Sequence, residues 1–284
     1  MAFGRGPLSH PLLAEAIEDL FVPLAVNNRT GKDGGQLARY EEPAFNNPVV
    51  RYFSASGEEL IPRRSGVWGT AETAERMLRA LEAGRYDVPP YLRLAVAELS
   101  ATLPERVVFA VHCFWQGQAR LGRLDGVLRA RPGWLAGDEV VEVLYDPRTI
   151  GLGELVRVAR REGALRRVFV GDERELRVAR DVVGEDVSVL RERPRDARPS
   201  DDLLHLRRSA LRFLPITRLQ ALRVNGTLEA GLDPGVWLSP RQRALLPRIE
   251  AVLARDPGAL VGLERPGDPG ALAAYRAELL GRLE

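Results

Sequence analysis

One cysteine, Cys113, is the only thiol in 284 residues, so no internal disulfide can form and a secreted disulfide framework is excluded. Three dispersed histidines beside that thiol give no metal-ligand spacing, and no Gly-rich phosphate loop is present. Neither a metal nor an organic cofactor is expected. No run of about 18 apolar residues occurs, which excludes a spanning helix and a membrane partner. Glu15, Glu18 and Asp19 interrupt the apolar stretch near the start, so a signal-peptide pattern is missing and a cytoplasmic protein is expected. An excess of one charge is also missing. With 41 basic against 39 acidic residues the net charge is +2, too small a field to imply nucleic acid. Lys32 is the single lysine, and the arginine bias reads as a genomic preference rather than a binding surface.

What is present is ordinary globular material, 45% hydrophobic and 28% charged, long enough for two compact domains or for one domain with an extension. Pro11 suits a first helical turn, with Leu12, Leu13, Ala16, Ile17 and Leu20 on one face. "FVPLAV", residues 21–26, reads as a short strand, and "NNRTGKDGGQ" as a loop. "NPVVRYFSASGEEL" then reads as two strands joined by a Ser-Gly turn. Thr70 is expected to cap a helix with Ala74, Met77, Leu78 and Leu81 buried, ended by Gly84. A helix around Leu92, Val96 and Leu99 is taken as the passage to the next domain.

From residue 106 the pattern changes to strand ("RVVFAVH"), helix (114–124), two strands ("GVLRARPGW", "EVVEVLYD"), helix (151–162) and strand ("RRVFVG"). Asp172 and Glu175 then form a capping box that opens another helix. The order βαββαβ is that of a ferredoxin-like unit. Beyond "RERPRDARPS", a proline- and charge-rich connector, the chain reads as wholly helical, with "SPRQ" at 239–242 as a further capping box. The expected class is α/β (α+β), in three parts: residues 1–88, residues 89–190 with the βαββαβ pattern, and a helical extension over 191–284.

Cys113 falls between a strand and a helix. At a helix N-terminus, unsatisfied N–H groups and the macrodipole favour a thiolate, and Phe114 with Trp115 can wall an apolar pocket. Position alone also admits a buried structural cysteine beside two core aromatics.

"CFWQGQARLGRLDGVLRARPGWLAG", followed by "EVVEVLYDPRTIGLGELVRVARR", resembles the A-type peptide methionine sulfoxide reductases, over about residues 106–182. The resemblance implies that Cys113 is the nucleophile that attacks the sulfoxide sulfur, that Phe114 and Trp115 hold the S-methyl group, and that Glu139 is the acid. Trp134 takes the place of the family's turn tyrosine. The partners implied are oxidised methionine in a peptide or protein and an external thiol reductant such as a thioredoxin, since the chain has no second cysteine. The chain departs from the family pattern at His112, which replaces a glycine, and in two loops, after Gly137 and after Arg161, that are almost absent. Residues 10–83 resemble a thioredoxin-like domain without a Cys-x-x-Cys motif, with Pro48 where that fold places a cis-proline at a peptide-binding surface. The pair of units is similar to a class of bacterial hybrid thioredoxin-like proteins. The expected function is thiol-dependent reduction of methionine sulfoxide; the alternative is a binding or scaffold protein whose two redox folds have lost turnover.

Overall fold

A computed structural model describes residues 6–27, 31, 33–42, 48–163 and 165–284. It is a mixed α/β structure in two compact units, Met1–Ser100 and Ala101–Glu284. Among the described residues no helix is long and apolar enough to cross a membrane.

The first unit is built on three helices, α1 (Pro11–Leu20), α3 (Thr70–Ala83) and α4 (Pro90–Ser100), with a short α2 (Gly34–Arg39). Leu12 and Leu13 of α1, Met77 and Leu81 of α3, and Tyr91 and Leu92 of α4 share one buried cluster with Tyr52. That cluster is why α4 belongs to this unit, whereas the sequence pattern had set a boundary at 88/89. Two other expectations are corrected. Residues 22–26 form no ladder with any of the described residues, and without one Val22 and Leu24 are left exposed. Gly69, not Thr70, caps α3, and Thr73 Oγ1 donates to the Gly69 carbonyl at 2.9 Å. The expected loop after residue 26 includes α2; residues 28–30 and 32 lie outside the described residues.

The strand pair after Pro48 is short. β1 (Val49–Val50) pairs antiparallel with β2 (Arg64–Ser65), and a tight turn closes between them, where Ser54 N–H donates to the Glu58 carbonyl at 2.8 Å. Gly57 takes φ +85°, the left-handed region that glycine enters without a Cβ penalty.

The second unit carries a six-stranded sheet. In chain order it contains β3 (Glu105–Ala110), α5 (Phe114–Gly122), β4 (Val127–Leu135), β5 (Asp138–Tyr145), α6 (Leu152–Arg161), β6 (Arg167–Val170), α7 (Glu173–Val183), β7 (Val187–Val189) and β8 (Arg195–Asp196). The strands lie in the order β7-β6-β3-β5-β4-β8, all antiparallel except β6 with β7. Val107, Val108, Phe109 and Ala110 are all buried, so the central strand β3 is covered on both faces and reads as a continuous apolar run rather than an alternation. Asp172 caps α7 by accepting the Glu175 N–H at 2.8 Å; the Glu175 carboxylate turns back to the Gly171 N–H at 2.6 Å rather than to the cap residue.

Four helices follow: α8 (Leu204–Arg207), α9 (Arg218–Glu229), α10 (Pro240–Arg255) and α11 (Leu272–Arg282). They do not form a separate body. Helix α9 is buried along most of its length and lies against α5 so closely that a Cβ on Gly226 would sit 2.3 Å from the Ala119 carbonyl oxygen. The connector is also more than a linker, since its β8 residues pair with Gly133 and Trp134 at the sheet edge.

Candidate active site

Helix α5 begins at the end of the central strand and is tied down at both ends. Cys113 is its N-cap, in extended backbone (φ −148°, ψ 120°), with its side chain making no capping hydrogen bond. The acceptor at this terminus is Glu139: its Oε2 takes the Phe114 N–H at 2.7 Å. A carboxylate placed on the first backbone donor of a helix is favoured by both the hydrogen bond and the macrodipole. At the other end Arg223 of α9 donates from Nη1 to the Gly122 carbonyl and from Nη2 to the Val127 carbonyl at 2.9 Å. Burial pulls this guanidinium down to about 10, still well above neutrality, so a positive charge faces the helix C-terminus.

Glu139 is delivered by a tight hairpin. Leu135 and Asp138 are paired, leaving only Ala136 and Gly137 as the loop, with φ 51° and 89°. Positive φ at both central residues is the pattern of a type I′ turn, whose twist suits two-residue hairpins. The next pair in the ladder is Trp134 with Glu139. The Glu139 carbonyl also accepts the Val111 N–H at 2.9 Å, which continues the β3–β5 ladder up to the residues preceding Cys113.

Three aromatic rings gather here. Phe114 is buried and meets Trp115 edge-on at 5.6 Å and Trp134 edge-on at 5.5 Å between ring centroids. Edge-to-face contact at this spacing is the favourable arrangement of ring quadrupoles. Phe114 is 4% exposed and Trp115 37%, so one ring is core and the other faces solvent. Cys113 and Glu139 are half-buried, and His112 is exposed.

The structure thus brings Cys113, Phe114, Trp115, Trp134 and Glu139 together. Pro48 belongs to the first unit, where it is buried and its carbonyl accepts the Gly66 N–H at 2.9 Å. One sequence expectation changes in detail: the first free N–H of α5 is occupied by Glu139 and is not left to the sulfur. Two residues near the site were not singled out by sequence, Gln118 and Asp201. Their bonds span 84 to 86 positions of chain, Trp115 to Asp201 and Gln118 to Asp202 and Leu203, and no local pattern signals that. Among the described residues no cluster of three or more His, Cys, Asp or Glu side chains is placed to hold a metal.

Two curated proteins are similar to part of the chain. The peptide methionine sulfoxide reductase MsrA of Leifsonia xyli subsp. xyli is 31% identical over 111 residues, 29% of this chain and 66% of that protein. That of Geobacter metallireducens is 31% identical over 71 residues, 19% of this chain and 44% of that protein. The chain therefore spans about half to two thirds of the length of these relatives, and it contains a segment similar to them. No protein-family model matches the chain.

Proposed function

We propose that the second unit is a thiol-dependent oxidoreductase of the peptide methionine sulfoxide reductase kind, with Cys113 as nucleophile. The observation that carries this reading is the Glu139 carboxylate on the backbone N–H of the residue after Cys113. It sets an acid and a thiol on the same helix terminus, in a segment similar to two such reductases.

The chemistry follows from the placement. The Phe114 N–H donates to Oε2, which fixes that oxygen as an acceptor and leaves Oε1 as the oxygen that passes the Cys113 thiol proton to the substrate. Attack of the Cys113 sulfur on the sulfoxide sulfur pushes electrons onto the sulfoxide oxygen, and protonation from Oε1 lowers the barrier to breaking the sulfur–oxygen bond. The protonated oxygen leaves as water, and water then attacks the Cys113 sulfur and displaces the thioether, so the sulfoxide is reduced by two electrons while Cys113 is left as a sulfenic acid. One external thiol condenses with that sulfenic acid, releasing water and forming a mixed disulfide, and a second thiol restores Cys113. Phe114, Trp115 and Trp134 supply an apolar wall for the S-methyl group.

The strand order β6-β3-β5-β4, with α5 and α6 as the two crossovers, supports reading this core as ferredoxin-like. For the first unit the thioredoxin-like reading rests on Pro48 at the entrance to β1, the turn at Gly57 and the helix α3 that follows. The three-part division at 88/89 and 190/191 gives way in this reading to two functional parts, with the helices after 203 serving the reductase-like unit.

The test is conversion of a methionine-sulfoxide peptide to the methionine peptide with dithiothreitol, on each sulfoxide epimer separately, since such enzymes divide by epimer. Turnover by the full chain that vanishes in Cys113→Ser supports the reading. Equal rates with both proteins, or none with either, overturn it.

A further inference from the structure

The connector after β8 reaches the same face of α5 that carries the aromatic pair. Trp115 Nε1–H donates to Asp201 Oδ1 at 3.2 Å. Three residues along the helix, Gln118 is fully buried and makes three bonds to chain outside α5. Its Nε2 donates to the Ala130 carbonyl at 2.9 Å and to Asp202 Oδ1 at 2.6 Å, and its Oε1 accepts the Leu203 N–H at 2.8 Å. Positions i and i+3 share a helix face, so Trp115 and Gln118 hold consecutive residues of one strap.

The strap is held in a form it would not take alone. Leu203 has φ 54° and ψ 47°, the left-handed region, which a side chain of this size enters only where its surroundings impose it. Its buried side chain and the Gln118 oxygen on its N–H are those surroundings. Upstream, Asp196 and Arg195 pair with Gly133 and Trp134, and Ala197 N–H donates to the Pro132 carbonyl at 3.1 Å. The strap therefore runs from Trp134 to Trp115, the two indoles that meet Phe114.

We propose that Asp201 is a positioning residue for substrate grip: it fixes the Trp115 ring in place before a methyl sulfoxide arrives at Cys113. Trp115 is packed against Phe114 yet 37% exposed, so packing covers only part of the ring, and ordering the rest when substrate binds would cost affinity. The Asp201 carboxylate on the indole N–H removes that cost in advance. The role of the grip rests on the reductase-like reading of Cys113; the fixing of the ring does not.

Full-length Asp201→Leu and Asp201→Asn separate the two. The indole N–H resonance of Trp115, assigned by its loss in Trp115→Phe, reports the hydrogen bond without turnover. Steady-state rates on a methionine-sulfoxide peptide report the grip. In Asp201→Leu the resonance moves upfield and exchanges faster with solvent, and KM rises about threefold to tenfold with kcat within about twofold, as expected for one lost hydrogen bond that acts on binding. Asp201→Asn keeps an oxygen acceptor and stays within about twofold of wild type in both constants. An unchanged Trp115 resonance in Asp201→Leu overturns the proposal, as does a fall in kcat with KM unmoved. If the wild type turns over no sulfoxide while the resonance still shifts, the positioning of Trp115 stands and the substrate reading falls.

Discussion

Glu139 Oε2 lies 2.7 Å from the backbone nitrogen of Phe114, so the carboxyl that faces the Cys113 end of α5 is held by the main chain itself. Glu139→Gln keeps an oxygen for that N–H but cannot deliver a proton. The rate of sulfoxide reduction should fall by about 10²–10⁴-fold, the usual contribution of a general acid. Stability should drop by only about 0.3–1 kcal/mol, from the lost charge at the helix N-terminus. Stopped-flow reduction and urea unfolding of the same variant check both halves.

Ala136 carries φ 51° in the hairpin that delivers Glu139, a conformation that costs an L-residue about 1–2 kcal/mol. Ala136→Asn, the residue favoured at the first position of a type I′ turn, should stabilise the second unit by about 0.5–1 kcal/mol. The expected rise in melting temperature is about 1–4 °C, with sulfoxide reduction unchanged. Calorimetry resolves a change of that size.

Two capping boxes interlock beneath the C-terminal helices. Thr217 with Gln220 caps α9 and Ser239 with Gln242 caps α10. The two buried glutamines also bond each other, Gln220 Nε2 to Gln242 Oε1 at 2.8 Å and the reverse at 3.2 Å. Gln242→Leu leaves buried partners without hydrogen bonds and should cost about 2–4 kcal/mol. Adding Gln220→Leu should cost less than the sum of the single losses, with a coupling of about 0.5–3 kcal/mol in a double-mutant cycle.

His10 is buried ahead of α1, and its Nδ1 has no hydrogen-bond partner among the described residues. Burial pulls the imidazole below its ordinary value of 6.5. Between the two values the unfolded chain binds the proton and the folded chain does not, so stability is present above 6.5 and is lost as pH falls below it. His10→Phe should abolish this part of the acid sensitivity. Unfolding free energies of both proteins between about pH 7 and pH 5.5 should differ in slope by up to about 1.4 kcal/mol per pH unit.

The core of the second unit was legible because its strands and helices change period cleanly. "EVVEVLYD" alternates as a half-buried strand, and 152–161 repeats Leu152, Leu155, Val156 and Ala159 at helical spacing. "FVPLAV" has the composition of a strand but no pairing neighbour among the described residues, and composition cannot supply one. The opposite holds for β8, where "RD" has no strand pattern and pairs only because the edge of β4 lies beside it. The site divides in the same way. Cys113, Phe114 and Trp115 are adjacent in sequence and are read together. Glu139 is legible only through the family resemblance, and its bond to Phe114 depends on a hairpin turn of two residues. Asp201 meets Trp115, and Gln118 meets Asp202 and Leu203, through the packing of the connector on α5, which leaves no local trace in the sequence.

The most direct test of the account is a single turnover without reductant. Fully reduced protein mixed with excess methionine-sulfoxide peptide should yield about one methionine peptide per chain, with one oxygen added to Cys113 as a sulfenic acid trapped by dimedone. No methionine peptide, or methionine peptide formed with Cys113 still a free thiol, would contradict it.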